Sequence, residues 1–223
     1  MVALLVAGTL VLFLLIDFAI RRTANRKAIT GVGQSMMDRF RVPRGLFFGP
    51  NHTWVDVLPT GNVRVGIDDF AQKVIGRIDG VWTIPQGVLA TKGKPVITLK
   101  QGQRTLTISS PVSGKVIQVN HDLQENPAIL RNDPYVAGWI LLLEPENIDP
   151  EIKSLTVGDE VARRLRQEVA RFRDFIRTHT TQHAPSELGL TMGDGGLPTH
   201  GVLESVDANA WSAFEEEFLT TVT

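Results

Sequence analysis

At 223 residues the chain is long enough for one good domain with appendages, and 43% hydrophobic with 21% charged content is ordinary for a globular protein. With 23 basic and 24 acidic residues, no global field is available to recruit nucleic acid. Cysteine is absent, which excludes disulfides, thiolate zinc sites, iron–sulfur clusters and thiol catalysis, and fits a reducing compartment.

The first predicted element is a transmembrane helix over residues 1–21. From Val2 to Ile20 the run VALLVAGTLVLFLLIDFAI carries one charge, Asp17. Nineteen helical residues reach about 28 Å, enough for the hydrocarbon core of a bilayer. A secretory signal would need a basic leader, whereas the cations here follow the span at Arg21, Arg22, Arg26 and Lys27. The positive-inside rule then puts the N-terminus outside and everything after Arg21 in the cytoplasm. Asp17 can reach Arg21 four residues on and lean to the headgroups. Gly8 allows a neighbouring helix backbone to come close.

Residues 22–51 read as a juxtamembrane linker, punctuated by Gly31, Gly33, Pro43, Gly45, Gly49 and Pro50. Phe47 and Phe48, beside Arg44, fit either a dip into the headgroup layer or a strand packed on the domain. From His52 the pattern is β. HTWVDVLPTGNVRVGI alternates and turns at PTGN, a hairpin signal. A short helix follows at DDFAQKVIG, with Asp68 as N-cap and Gly76 as stop. GVWTI, KPVITL, RTLTI, GKVIQV and GWILLLEP are short strands rich in Val, Ile, Leu and Thr. A faint repeat runs from Gly80 to Pro95 and again from Gly114 to Pro127, which suggests two β units about a pseudo-twofold. An amphipathic helix is expected within 156–179, from about Val157 to Arg177. Val161, Leu165, Val169, Phe172 and Ile176 form one apolar stripe, with Arg163, Arg164, Arg166, Arg171 and Arg173 on the other faces. Because Glu160, Glu168 and Asp174 interleave with those arginines, a solvated face is favoured over nucleic-acid contact. Residues 180–223 form a polar tail ending in a short helix, with Trp211, Phe214 and Phe218 as its apolar stripe.

VGIDDFAQ, PVSG (Pro111–Gly114), VN (Val119–Asn120) and NDPYVAGW (Asn132–Trp139) together resemble the H protein of the glycine cleavage system. The resemblance spans about 52–155. It implies a lipoyl-carrying domain of flattened hammerhead β-barrel or sandwich fold, mainly β, here with an N-terminal transmembrane helix and a C-terminal helical extension added. In that family the lipoyl lysine lies eight residues before the Pro of PVSG and ten after the Gly that opens the hairpin. Counting back from Pro111 and forward from Gly93 both arrive at Gln103. The acidic residue the family places three before its lysine is Lys100 here, a reversal of charge. A carboxamide has no amine to acylate, and Lys100 is displaced from the apex by an odd number of residues, onto the other strand face. The resemblance therefore implies a carrier fold without its cofactor.

Other motifs carry less. His179 and His183 have a chelating spacing without a third ligand nearby, so solvated surface is favoured. TMGDGG (Thr191–Gly196) lacks the strand and lysine of a phosphate loop and reads as a turn. His121 and Asp122 read as turn contacts; Ser109, Ser110 and Ser113 have no His/Asp constellation. No catalytic, cofactor or metal residue is expected, and no small-molecule substrate. The chain reads as a non-catalytic accessory subunit in the bacterial inner membrane, docking its β domain (52–155) onto a large complex, photosynthetic or respiratory. Its architecture is similar to the H subunit of purple-bacterial reaction centres. Partner contacts are expected at Gly8, Asp17, Phe47, Phe48, Trp211, Phe214 and Phe218. The alternative is a membrane-tethered lipoyl carrier or glycine-cleavage component.

Overall fold

Two antiparallel sheets build the β domain. The larger contains β1 (Phe47–Phe48), β2 (Thr53–Val57), β3 (Val63–Ile67), β5 (Leu89–Ala90), β8 (Gly114–Val119) and β9 (Trp139–Glu144), in the spatial order β1-β2-β3-β9-β8-β5. The smaller has β4 (Gly80–Thr83), β6 (Pro95–Gln101) and β7 (Arg104–Ser109), in the order β4-β6-β7. This is a computed structural model, and it describes residues 40–180 and 200–220. The described residues from Val42 onward belong to one unit.

Alternation does what the sequence implies. On β7 the side chains of Leu106 and Ile108 are fully buried while Thr105 is exposed. β2 and β3 pair in register from Thr53↔Ile67 to Val57↔Val63, and the turn between them closes through Gly61 N–H to the Leu58 carbonyl at 2.9 Å. The first helix, α1 (Asp69–Ile75), begins where Asp68 accepts from the Ala71 N–H at 2.8 Å and stops at Gly76. Short helices α2 (Asp122–Glu125), α3 (Ile129–Asn132) and α4 (Asp149–Ile152) lead to the long α5 (Asp159–Thr180). A 3₁₀ turn (Val202–Ser205), α6 (Ala208–Phe214) and a wide helical turn (Glu215–Leu219) complete the chain as described.

Several expectations change. The transmembrane segment 1–21, with Gly8 and Asp17, lies outside the described residues, and no helix among the described residues is long and apolar enough to cross a membrane. The β domain begins before residue 52. Phe47 and Phe48 pair with Val55 and Trp54, and Phe48 exchanges two backbone hydrogen bonds with Thr156 at 2.8 and 2.9 Å. Phe48 is buried with Leu46, Trp54 and Val161, so the strand reading holds over the headgroup one. The pseudo-twofold does not extend through the repeat: Pro95 opens a strand, whereas Pro127 leads into α3, where the carbonyls of Asn126 and Pro127 take turn bonds. The stripe of α5 is as expected and broader, because Phe175 is buried beside Phe172 and Ile176.

The largest change concerns the tail. Trp211, Phe214 and Phe218, expected to meet a partner, are 4%, 0% and 2% exposed within the chain's own fold. Phe214 and Phe218 stack on each other at 5.0 Å, and both rings meet Phe172 edge-on at 5.8 Å. The Trp211 indole donates to the Thr105 carbonyl at 2.8 Å. The apolar stripe is covered by α5 and β7.

Candidate functional site: the hairpin apex

β6 and β7 pair from Pro95↔Ser109 to Gln101↔Arg104, which leaves Gly102 and Gln103 as a two-residue turn. Gly102 has φ 58 and Gln103 is not among the residues at positive φ, the order of signs in a type II′ turn. Gln103 is exposed at the tip.

The apex is fastened to α1. Gln101 Nε2 donates to the carbonyls of Ile75 at 2.8 Å and Arg77 at 2.6 Å, occupying acceptors at the C-terminal end of that helix. Asp79 Oδ2 accepts from the Gly102 N–H at 2.8 Å, and Asp79 Oδ1 from Arg77 Nε at 2.6 Å. The Gly102 N–H, with Arg77 and Lys100 adding to it, holds the Asp79 carboxyl below the usual carboxylate range. Lys100 turns away from the tip: its Nζ lies 5.8 Å over the Trp82 ring. A cleft of about 500 Å³ beside the apex is lined by Arg77, Asp79, Gln101, Gln103, Arg104 and Glu204. Its two cations and two carboxylates balance, and it offers no amine for acylation. Glu204 arrives from the tail, accepting from the Arg77 N–H at 2.8 Å. A Cβ on Gly76 would collide with that carboxylate, so the close approach needs glycine there.

A second constellation was not legible in the sequence. His52, with φ 57, is buried between Asp68 and Glu168. Its Nδ1 is 2.9 Å from Asp68 Oδ2 and its Nε2 is 3.8 Å from Glu168 Oε2. The ring stacks on Phe70 at 4.5 Å and on Phe218 at 6.3 Å. Burial alone would lower the imidazole pKa; the two carboxylates override it, Asp68 first, and raise it from 6.5 to about 9. In return, and against its own burial, His52 pulls the Glu168 carboxyl down, assisted by Arg171 and Arg164. Glu168 therefore leaves the solvated face expected for it. Asp68 both caps α1 and holds this histidine. No nucleophile stands at the site among the described residues, and its geometry is that of an ionic clamp between the β domain and α5.

The remaining residues take structural places. Ser113 bonds Glu151 through N–H and Oγ at 2.6 and 2.8 Å, and Ser110 Oγ donates to the Val112 carbonyl at 2.6 Å. His121 precedes α2, its carbonyl accepting from Gln124 at 2.9 Å. His179 lies against Phe175 at 4.2 Å; His183 and 191–196 lie outside the described residues. No cluster of His, Cys, Asp and Glu that could hold a metal ion occurs among the described residues.

The sequence model of the family described as Glycine cleavage H-protein matches residues 46–168, from just before β1 into α5. A probable glycine cleavage system H protein of Thermococcus gammatolerans is 36% identical over 126 residues, 56% of this chain and 93% of that protein. Glycine cleavage system H protein 2 of Aquifex aeolicus is 31% identical over 131 residues, 58% of this chain and 81% of that protein. A solved glycine cleavage system H protein from Mycobacterium marinum aligns at TM-score 0.44 and 27% identity, covering 47% of this chain and 87% of that one. Residues 200–220 lie beyond the matched region.

Proposed function

The chain belongs to the glycine cleavage H-protein family, and from that premise we propose that it is a member without a lipoyl group, serving as a membrane-anchored, non-catalytic accessory subunit. The observation that carries this reading is Gln103 exposed at the apex, where the family resemblance places the acylated lysine. Supporting it, Gln101 ties the hairpin to the end of α1, Asp79 ties it to the segment that follows α1, and Lys100 packs along Trp82 rather than at the tip. A swinging cofactor needs a primary amine at the apex, and this apex presents a carboxamide.

The apolar run Val2–Ile20 followed by Arg21, Arg22, Arg26 and Lys27 supports anchoring in a bacterial cytoplasmic membrane with the β domain inside. Partners on this reading are the bilayer and other subunits of an inner-membrane complex. Phe47 and Gln103 remain at least partly exposed on the domain, whereas the tail stripe does not. The second reading, an H-type carrier component, draws on the family match, which spans nearly the whole β domain.

Restoring the amine separates the two. Full-length protein carrying Gln103→Lys and Lys100→Glu is co-expressed with a lipoate ligase that modifies H proteins, beside the unaltered chain. The double variant is expected to gain one lipoyl unit by intact mass and the unaltered chain none. Equal modification of both, at Lys100 in the unaltered chain, would support the carrier reading.

A further inference from the structure

We propose that the cleft between α5 and the end of the tail binds a free basic amino acid, with its carboxylate on Arg164 and its two ammonium groups at Glu216 and Glu217. The cleft measures about 660 Å³, within the range of small-molecule sites, and is walled by α5, Pro50–Asn51 and the tail. Its floor is already neutral and held in place. Glu168 and Arg171 pair there at 3.2 Å, with buried His52 behind Glu168. Arg171 also lies 4.2 Å over the Phe218 ring and donates to the Glu217 carbonyl. These groups satisfy one another and leave little for a ligand.

The walls differ from the floor. Arg164 bonds the neutral Thr156 hydroxyl at 3.2 Å and makes no ion pair among the described residues. It stands one helical turn before Glu168, on the same face of α5, and helps to hold that carboxyl down. On the tail, Glu216 and Glu217 are exposed, and among the described residues their carboxylates have neither hydrogen-bond nor ion-pair partners. One cleft thus carries an unpaired guanidinium on α5 and two unpaired carboxylates on the tail.

That arrangement selects by charge. A plain anion meets the two carboxylates, and a plain amine leaves the guanidinium unmet. One carboxylate and two ammonium groups match the three unpaired charges in sign and number. A guanidinium fork suits a carboxylate, and an ammonium offers three donors to carboxylate oxygens. The poles also lie apart. Arg171, tied to the Glu217 carbonyl, is seven residues from Arg164, about 10 Å along the helix. An extended basic side chain suits such a separation better than a compact zwitterion does. The cleft is separate from the apex, and its occupancy is independent of whether the apex carries lipoate.

Saturation-transfer NMR on the full-length protein, at about 0.15 M salt so that weak surface attraction is screened, tests this with L-lysine as the probe. Two relatives of lysine divide its charges: norleucine lacks the terminal ammonium, and 1,5-diaminopentane lacks the carboxylate. Lysine is expected to bind saturably and at least about tenfold tighter than either. Arg164→Gln should weaken lysine about tenfold and leave 1,5-diaminopentane no weaker. Glu216→Gln with Glu217→Gln should weaken both of these ligands. Should a variant not fold, Arg164→Lys, expected to retain lysine binding, and Glu216→Gln alone, expected to weaken it, are read in its place. No saturation by lysine below about 10 mM, lysine no tighter than its two relatives, or folded variants that leave lysine unchanged or affect all three ligands alike would overturn the proposal.

Discussion

Phe172→Ala is expected to destabilise the β domain and the tail together by about 3–5 kcal/mol, a fall in midpoint of roughly 6–20 °C for a domain of this size. Phe172 is fully buried and its ring meets Phe70 of α1, Phe175 of α5, and Phe214 and Phe218 of the tail at 5.7–6.0 Å. Removing it leaves a cavity lined by aromatic rings on three separate elements, and stiff rings on different elements collapse poorly into such a space. Thermal unfolding of the full-length protein, followed by tryptophan fluorescence and far-UV circular dichroism, decides it. Both signals should move together. A loss below about 1 kcal/mol, or a tail that melts while the strands do not, would show that the aromatic cluster is not shared.

The second large effect is electrostatic and depends on pH. His52 is raised from 6.5 to about 9 in the folded state, so its charged form stabilises the fold. That contribution is complete below pH 6.5 and is lost as pH rises through about 9. The difference amounts to on the order of 3 kcal/mol. Glu168 moves the other way, so its contribution is present above its unfolded value of 4.5 and is lost on acidification. Stability should therefore be greatest between about pH 4.5 and 6.5 as far as this clamp is concerned, and should decline as pH rises through about 9. His52→Asn is the suitable variant, since Asn tolerates the left-handed backbone that φ 57 demands and carries no charge. It leaves Asp68 and Glu168 without their shared cation, a loss of about 3–5 kcal/mol near neutrality, and it should flatten the alkaline slope. An unchanged slope in His52→Asn would assign the pH dependence elsewhere.

Both effects depend on contacts that local sequence patterns do not specify. Strand alternation and the caps Asp68 and Gly76 are local patterns, legible within a few residues. Gln103 was legible because two counts, from Gly93 and from Pro111, meet on it. The stripe of α5 was visible at helical spacing, but Phe175 was not, because it lies one row beside the stripe. Trp211, Phe214 and Phe218 announced an apolar face without saying what covers it; periodicity fixes that a face is buried, and only tertiary structure says against what. His52 gave no signal at all. Its partners lie 16 and 116 positions away in sequence, and Glu168 sits among arginines that disguise it as solvated. The tail's hold on β7 is likewise non-local, with Glu215 and Thr107 separated by 108 positions.

On the proposed reading, the hairpin whose tip is Gln103 is expected to carry no lipoyl group. Intact-mass spectrometry of the protein purified from its native source tests it most directly. The mass should equal that of the chain without a lipoyl increment, and peptides covering Lys94–Lys115 should be unmodified. One lipoyl unit, localised to Lys100 or to any other residue of the hairpin, would contradict it.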